Sequence, residues 1–506
     1  MHAAKRVSLC IDRGDEIGEI SENLMGSFLE HVGRAIYTGI YEPEHPTANA
    51  DGFRGDVIEA VRALGVPMVR YPGGNFVSGY RWTDGIGEKS RRPHRPELAW
   101  KAIETNQVGI DEFAKWAEAA GCRVMPAVNM GTGTPQEAAD FVEYCNFPCG
   151  TFWSDKRREN GREKPYGFRY WCVGNEMDGD WQIGHLSAQE YGRKACEAAK
   201  MMKWMDKSIH ITVAGSSSPD LPTFPEWDRV VLEKTYENVD FLSLHRYYGY
   251  NPAVMRSCDY LHAYLDMDRF IRSVIATADY VKALHRSKKT IMLSFDEWNV
   301  WHQHQAIDET HEWAQVRPIL EDTYSVRDAL LFSGMMMTLI NHADRVKIGC
   351  MAQLVNVIAP LLTRPGGGIV RQTIYYPYQA GCRYAKGRAL HCRVRGEKAE
   401  TAYGDADPVY AASAYDEAAG LLTIFILNST EEPIQLSLRL EGFEEVRLAQ
   451  HQVFVGPDLD SRNTFAQPDK ARMTERQVNP EGGEIAVDRY SFHVLHYKKP
   501  DGGVGL

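Results

Sequence analysis

Eight short runs of apolar and β-branched residues recur through roughly the first 370 residues, and no other property of the sequence restricts the fold as tightly. They are Leu24–Leu29, Val66–Tyr71, Arg123–Val128, Arg169–Val173, His210–Ala214, Val239–Leu244, Thr290–Phe295 and Val346–Val355. Between them lie crossovers long enough to hold a helix. Apolar residues fall at helical spacing over Asp56–Leu64, Ile110–Ala120, Pro135–Cys145, Ala188–Met205, Tyr260–Leu284 and Val326–Ile340. Strand–helix alternation predicts a parallel sheet. Eight units are the number that closes a (β/α)8 barrel. An open doubly wound sheet of six or seven units is the competing arrangement, weakened because no Gly-x-Gly-x-x-Gly follows an early strand.

After about Pro377 the period changes. Ile434, Leu436, Leu438 and Leu440 alternate with Gln435, Ser437 and Arg439, a strict period of two, and Leu421–Leu427, Arg447–Val455 and Glu484–Tyr497 are further strand-like runs. No comparable helix is expected there. The tail reads as an antiparallel sandwich or jelly roll, joined by the strand-like run Arg6–Ile11. The expected organisation is an α/β chain: a TIM barrel over residues 19–376, and an all-β, jelly-roll-like sandwich from residues 1–18 and 377–506.

Composition narrows the partners. The 506 residues carry 57 Lys and Arg against 68 Asp and Glu, a formal charge of −11. That sign offers no grip on phosphate backbones or anionic membranes, so neither nucleic acid nor a membrane surface is an expected partner. The amino terminus carries no apolar stretch of a secretory signal, and no run approaches the length of a membrane span. Ten scattered cysteines without a Cys-x-x-Cys pair argue for a reduced, cytoplasmic chain.

Barrel enzymes carry their chemistry at the carboxyl ends of the strands. Gly174-Asn175-Glu176-Met177-Asp178-Gly179 follows the fourth run, and Asp296-Glu297-Trp298-Asn299-Val300-Trp301 follows the seventh. Glu176 and Glu297 would then face each other across a barrel mouth. Glycoside cleavage needs such a pair: one carboxyl protonates the leaving oxygen while an ionised one attacks or assists at the anomeric carbon. A gap of about 5–5.5 Å means retention and a wider one inversion. A lone glutamate is usually a solvated carboxylate, but a strand end crowded by Gly, Asn and Trp is a poor place for one.

Four motifs add a family resemblance. Arg70-Tyr71-Pro72-Gly73-Gly74-Asn75-Phe76, the Glu176 and Glu297 segments, and Met351-Ala352-Gln353-Leu354-Val355-Asn356 resemble the signatures of the α-L-arabinofuranosidases of glycoside hydrolase family 51, in matching order from about Ser21 onward. The resemblance implies a retaining exo-hydrolase of terminal α-L-arabinofuranosyl groups, acting on oligosaccharides from arabinan or arabinoxylan. No metal or organic cofactor is implied, and the expected assembly is a homo-oligomer, a hexamer in the family. Glu176 matches the acid/base and Glu297 the nucleophile. Asn175 would bond the sugar 2-hydroxyl. Glu30, Asn75, Tyr247 and Gln353 match sugar-binding positions, His245 would sit beside the nucleophile, and Trp100 and Trp301 would wall the pocket. The cycle requires Glu176 to hold a proton in the free enzyme and release it once Glu297 has reacted.

Plainer roles exist for several of these. Asn75 could complete a Gly-Gly turn, His245 and Tyr247 could close a strand, Trp100 could pack a loop, and Gln353 could bond a neighbouring backbone group. His302-Gln303-His304 has the spacing of a metal ligand pair, although such pairs usually follow an early barrel strand. Gly366-Gly367-Gly368 lacks the Lys-Ser or Lys-Thr of a phosphate cradle, and the mixed charges of Asp155–Lys164 suggest a solvated loop. Related barrels cleave β-xylosides, β-glucans or galactofuranosides. A non-catalytic sugar-binding barrel is the remaining alternative.

Overall fold

In the computed structural model, which describes residues 5–303, 312–478 and 484–499, all eight runs are strands of one closed barrel. Strand β1 (Lys5–Glu19) precedes it. The barrel strands are β2 (Asn23–Phe28), β3 (Met68–Tyr71), β4 (Arg123–Val128), β5 (Tyr170–Val173), β6 (His210–Val213), β7 (Phe241–Tyr248), β8 (Met292–Val300) and β9 (Val346–Ala352). Every neighbouring pair is parallel, and β9 returns to β2 through Met351 opposite Ser27. Helices cover one face of each strand and neighbouring side chains the other. The runs are therefore largely apolar, and β2 and β3 are buried at every position.

Local signals set the helix ends. Thr134 and Ser187 accept from the backbone N–H of Glu137 and Glu190, whose carboxylates return the bond, starting α3 (Pro135–Asn146) and α5 (Ala188–Met205). Helices α1 (Gly55–Leu64) and α2 (Ile110–Ala120) stop at Gly65 and Gly121, both left-handed at φ 86° and 78°.

Four expectations are corrected. The charged run Asp155–Lys164 is not simply a loop: its first half lies in α4 (Phe152–Glu159). Charges three apart pair along that helix, Lys156 with Glu159 and Arg158 with Asp155, while Arg157 is fully buried and donates to the carbonyls of Tyr144, Phe147 and Pro148. The helix read over Tyr260–Leu284 is two, Ser257–Leu261 and Tyr264–Leu284, divided at His262 and Ala263. A further helix, Tyr375–Tyr384, spans the point where the barrel was expected to end. Pro377 is tolerated in its first turn, where no helical N–H bond is lost. The run Glu484–Tyr497 is two strands, Glu484–Val487 and Ser491–Lys498, which pair with different neighbours.

Eight carboxyl-terminal strands and β1 form one nine-stranded sheet, while Ala399–Thr401 pairs separately with Gly404–Ala406. One of its pairs departs from the antiparallel expectation, because β1 lies between Arg388–Arg395 (antiparallel) and Ile434–Glu441 (parallel). One face closes over its own core of Val7, Leu9, Ile11, Leu422, Ile424, Ile426, Leu436 and Leu495. The other, with Phe425, Phe454 and Phe492, joins the barrel's core, and Tyr410 stacks on Tyr264 at 4.3 Å. That contact reaches the barrel's helices and leaves the carboxyl-terminal mouth open.

Candidate active site

A cavity of about 450 Å³ opens at the carboxyl ends of the strands, and the residues singled out from sequence converge on it. Glu30, Asn75, Trp100, Glu176, Tyr247, Glu297, Trp301 and Gln353 line it. Asn175 and His245 lie buried directly behind.

Glu297 projects from β8 just past a register shift between Ser294 and Glu297. The irregularity lets two consecutive acids, Asp296 and Glu297, both meet the buried Arg70 of β3, at 3.6 and 2.7 Å. The Tyr247 hydroxyl donates to the other oxygen of Glu297 at 2.7 Å. Arg70 also donates to the amide oxygen of Asn175 at 2.5 Å. Both oxygens of Glu297 are therefore held by donors.

Glu176 follows β5 in the left-handed region, at φ 43°. Such backbone is uncommon for a side-chain-bearing residue and recurs at functional sites. Its oxygens bond the Nδ1 of His245 at 2.9 Å and the indole N–H of Trp181 at 2.9 Å. His245 Nδ1 is 3.6 Å from Glu297, and its Nε2 is 3.4 Å from Asp296. Burial opposes a charge on this imidazole, but Glu297, Asp296 and Glu176 outweigh it and push the pKa up to about 10. Burial likewise raises the Glu176 carboxyl, yet the hydrogen bond and charge of His245 carry it below the usual range. The two directions are opposed: they favour a proton on the ring of His245, one hydrogen bond away, over the resting proton expected on Glu176.

Glu30 is the second centre. Its Oε1 accepts the backbone N–H of Phe76 and the indole N–H of Trp100, each at 2.8 Å, and Gln353 donates to its Oε2 at 3.4 Å. Burial nevertheless lifts its pKa to about 8, so below that pH it is neutral. Asn75 accepts from Asn175 at 3.4 Å. Trp100 rides on the hairpin of Arg95–Glu97 and Ala102–Glu104, and Trp301 meets Tyr247 edge-on at 5.3 Å. Arg70 and His245 thus face the carboxyl groups of Glu176, Asp296 and Glu297. A mouth lined by carboxyl groups suits a transition state that gathers positive charge.

Glu176, His245 and Glu297 also offer three ligand atoms within 4.8 Å of one another. The Arg70 guanidinium and the His245 proton oppose a metal cation there. Of the His-x-His pair, His302 lies 3.6 Å from Asp328, and His304 is outside the described residues.

Sequence reasoning missed Arg70 and Asp296 as site members, and Trp181. A cation inside the otherwise apolar strand Met68–Tyr71 was a legible signal for Arg70. The inward turn of Asp296 depends on the register shift and had none.

Comparison with known proteins follows the same line. Models of the "alpha-L-arabinofuranosidase 1 domain" and the "alpha-L-arabinofuranosidase C-terminal domain" match residues 60–270 and 296–491. The chain is 50% identical, over 98% of its length and 99% of the relative's, to the intracellular exo-α-(1→5)-L-arabinofuranosidase 1 of Bacillus subtilis. A solved family 51 α-L-arabinofuranosidase from Bifidobacterium longum superposes with a TM-score of 0.94 at 38% identity, covering 98% of this chain and 100% of that one. The arabinose complex of the Thermotoga maritima α-L-arabinofuranosidase gives 0.87 at 31% identity, covering 97% and 99%. The chain therefore belongs to the α-L-arabinofuranosidases of glycoside hydrolase family 51.

Proposed function

We propose that the protein is an exo-acting hydrolase of terminal, non-reducing α-L-arabinofuranosyl groups, working with retention of configuration. The observation that carries the reading is the pairing of Glu176 and Glu297, with facing oxygens within 4.8 Å, at the ends of the fourth and seventh barrel strands. That spacing leaves no room for a water between carboxylate and sugar, and it suits direct attack.

Glu297, oriented by Arg70 and Tyr247, attacks the anomeric carbon as the bond to the leaving oxygen breaks. Glu176 relays to that oxygen the proton that His245 passes across their hydrogen bond, and is left as a carboxylate. In the second half-reaction Glu176 takes a proton from water, whose oxygen attacks the anomeric carbon and frees Glu297. Glu30, Asn75 and Gln353 receive the furanose hydroxyls, and Trp100 and Trp301 wall the ring. The chemistry belongs to the barrel, which extends through the helix Tyr375–Tyr384, and β1 with the strands from Arg388 onward forms the accompanying β-domain. Family resemblance supports a homo-oligomer, which sedimentation tests, and the printed name of the Bacillus subtilis relative supports an intracellular setting.

Hydrolysis of an aryl α-L-arabinofuranoside beside an aryl β-xyloside and an aryl β-galactofuranoside tests the assignment. Release from the first is expected to dominate. No release from it, with release from another, overturns the substrate.

A further inference from the structure

The order of strands around the barrel divides the cavity. Glu30, Asn75 and Gln353 follow β2, β3 and β9, which are consecutive around the mouth, and Glu297 stands next to them on β8. Glu176 and Trp181 follow β5, on the far half, beside β6 and β7. If the sugar under attack lies over Glu297 with its hydroxyls toward Glu30, the departing group must lie toward β5, β6 and β7, where Glu176 can reach its oxygen.

That half of the cavity carries a built polar wall. Ser217, Ser218 and Asp220 follow β6, and Arg246 lies on β7. The loop is tied to the acid's own segment, since Asp178 accepts the N–H of Ser217 at 2.8 Å and its hydroxyl at 3.0 Å. Arg246 is clamped from behind by Asp266 at 2.7 Å, and Tyr248 lies beneath its guanidinium at 4.8 Å. Its Nη1 reaches forward to Ser218 at 3.2 Å and to Asp220 at 2.5 Å. The Asp220 side chain is nonetheless 75% exposed and stands at the cavity edge. A carboxylate fixed by a rigid arginine and still open to solvent is an acceptor for sugar hydroxyls, and the half-exposed Trp181 indole supplies an apolar face across the same space.

We propose that Ser218, Asp220 and Arg246 form the seat of the leaving sugar and make the enzyme favour leaving groups that carry hydroxyls. This rests on the reaction proposed above. The wall belongs to none of the groups that hold Glu176 or Glu297, so it sets which glycoside is cut and not whether one is cut.

Asp220→Ala, Ser218→Ala and Asp220→Asn, assayed on α-1,5-arabinobiose and on aryl α-L-arabinofuranoside, test it. The expected result is a fall of about ten-fold or more in kcat/KM on the disaccharide in Asp220→Ala, worth ~1.4 kcal/mol, against no more than about a two-fold change on the aryl glycoside. Asp220→Asn, which keeps an acceptor oxygen, should recover part of the loss. Equal falls on both substrates, or no fall on the disaccharide, overturn the proposal. Failure of the reaction itself is separately visible, as absence of wild-type turnover on the aryl glycoside.

Discussion

The Nδ1 of His245 lies 2.9 Å from the Oε1 of Glu176, close enough for the two side chains to share one proton. Three carboxylates around the imidazole keep that proton on the ring when no sugar is bound. Once Glu297 bonds the sugar, its charge is gone, and the ring loses part of its reason to remain a cation. The pair then behaves as one titrating unit.

Replacing His245 with Gln leaves the proton to Glu176 alone. The carboxyl loses the cation that lowers it, so its own pKa rises, but it falls short of the value near 10 that the ring provides. The alkaline limb of the kcat/KM profile should move to lower pH by more than about one unit, with turnover reduced on the order of 10²-fold. An unshifted limb would separate the ring from the proton supply.

Arg70 neutralises Asp296 and Glu297 where all three are buried. Arg70→Met should cost about 3–5 kcal/mol, because two carboxylates remain in the barrel core without their cation. Urea unfolding reads this directly as a lower midpoint.

Gly74 leaves room for the Glu30 carboxylate. A Cβ at that position would lie 2.5 Å from Glu30 Oε2 and 3.1 Å from Phe28 Cζ. Gly74→Ala should displace Glu30 and raise KM about ten-fold, equivalent to ~1.4 kcal/mol of binding. The thermal midpoint should change little. A KM equal to wild type, with the midpoint lowered, would make the glycine structural only.

The carboxyl-terminal sheet carries an acid-sensitive pair. His451 Nε2 and His493 Nδ1 are 2.8 Å apart, and Ser491 bonds the other side of His493 at 2.8 Å. Burial lowers the His451 pKa to about 4 and holds His493 well below its usual value. Between about pH 4 and the unfolded value near 6.5, the unfolded chain binds more protons, so stability rises with pH there. The melting temperature should therefore fall as pH drops from 6.5 toward 4. His451→Gln, which keeps a donor but does not titrate, should flatten the decline.

The eight-fold alternation, the period-two tail and the two acidic strand ends were all legible in the sequence, because each is a local pattern of residue types along the chain. The barrel strands Arg123–Val128 and the helices Ile110–Ala120 and Ala188–Met205 were readable to the residue for that reason. The family resemblance carried the positions of Glu30, Asn75 and Gln353 as well. Charge runs were less informative: the residues around Arg157 look solvated one by one, and only packing reveals that this arginine is enclosed by carbonyls. Tertiary structure alone decided which charges surround His245. His245 is 69 residues from Glu176 and 52 from Glu297 in sequence, and the balance among their charges depends on distances of 2.9 and 3.6 Å that no linear pattern encodes. It also decided that Asp296 turns inward beside Glu297 and that Asp220 stands at the edge of the cavity. Electrostatic effects depend on spatial separation and burial, and both exist only after the barrel has closed.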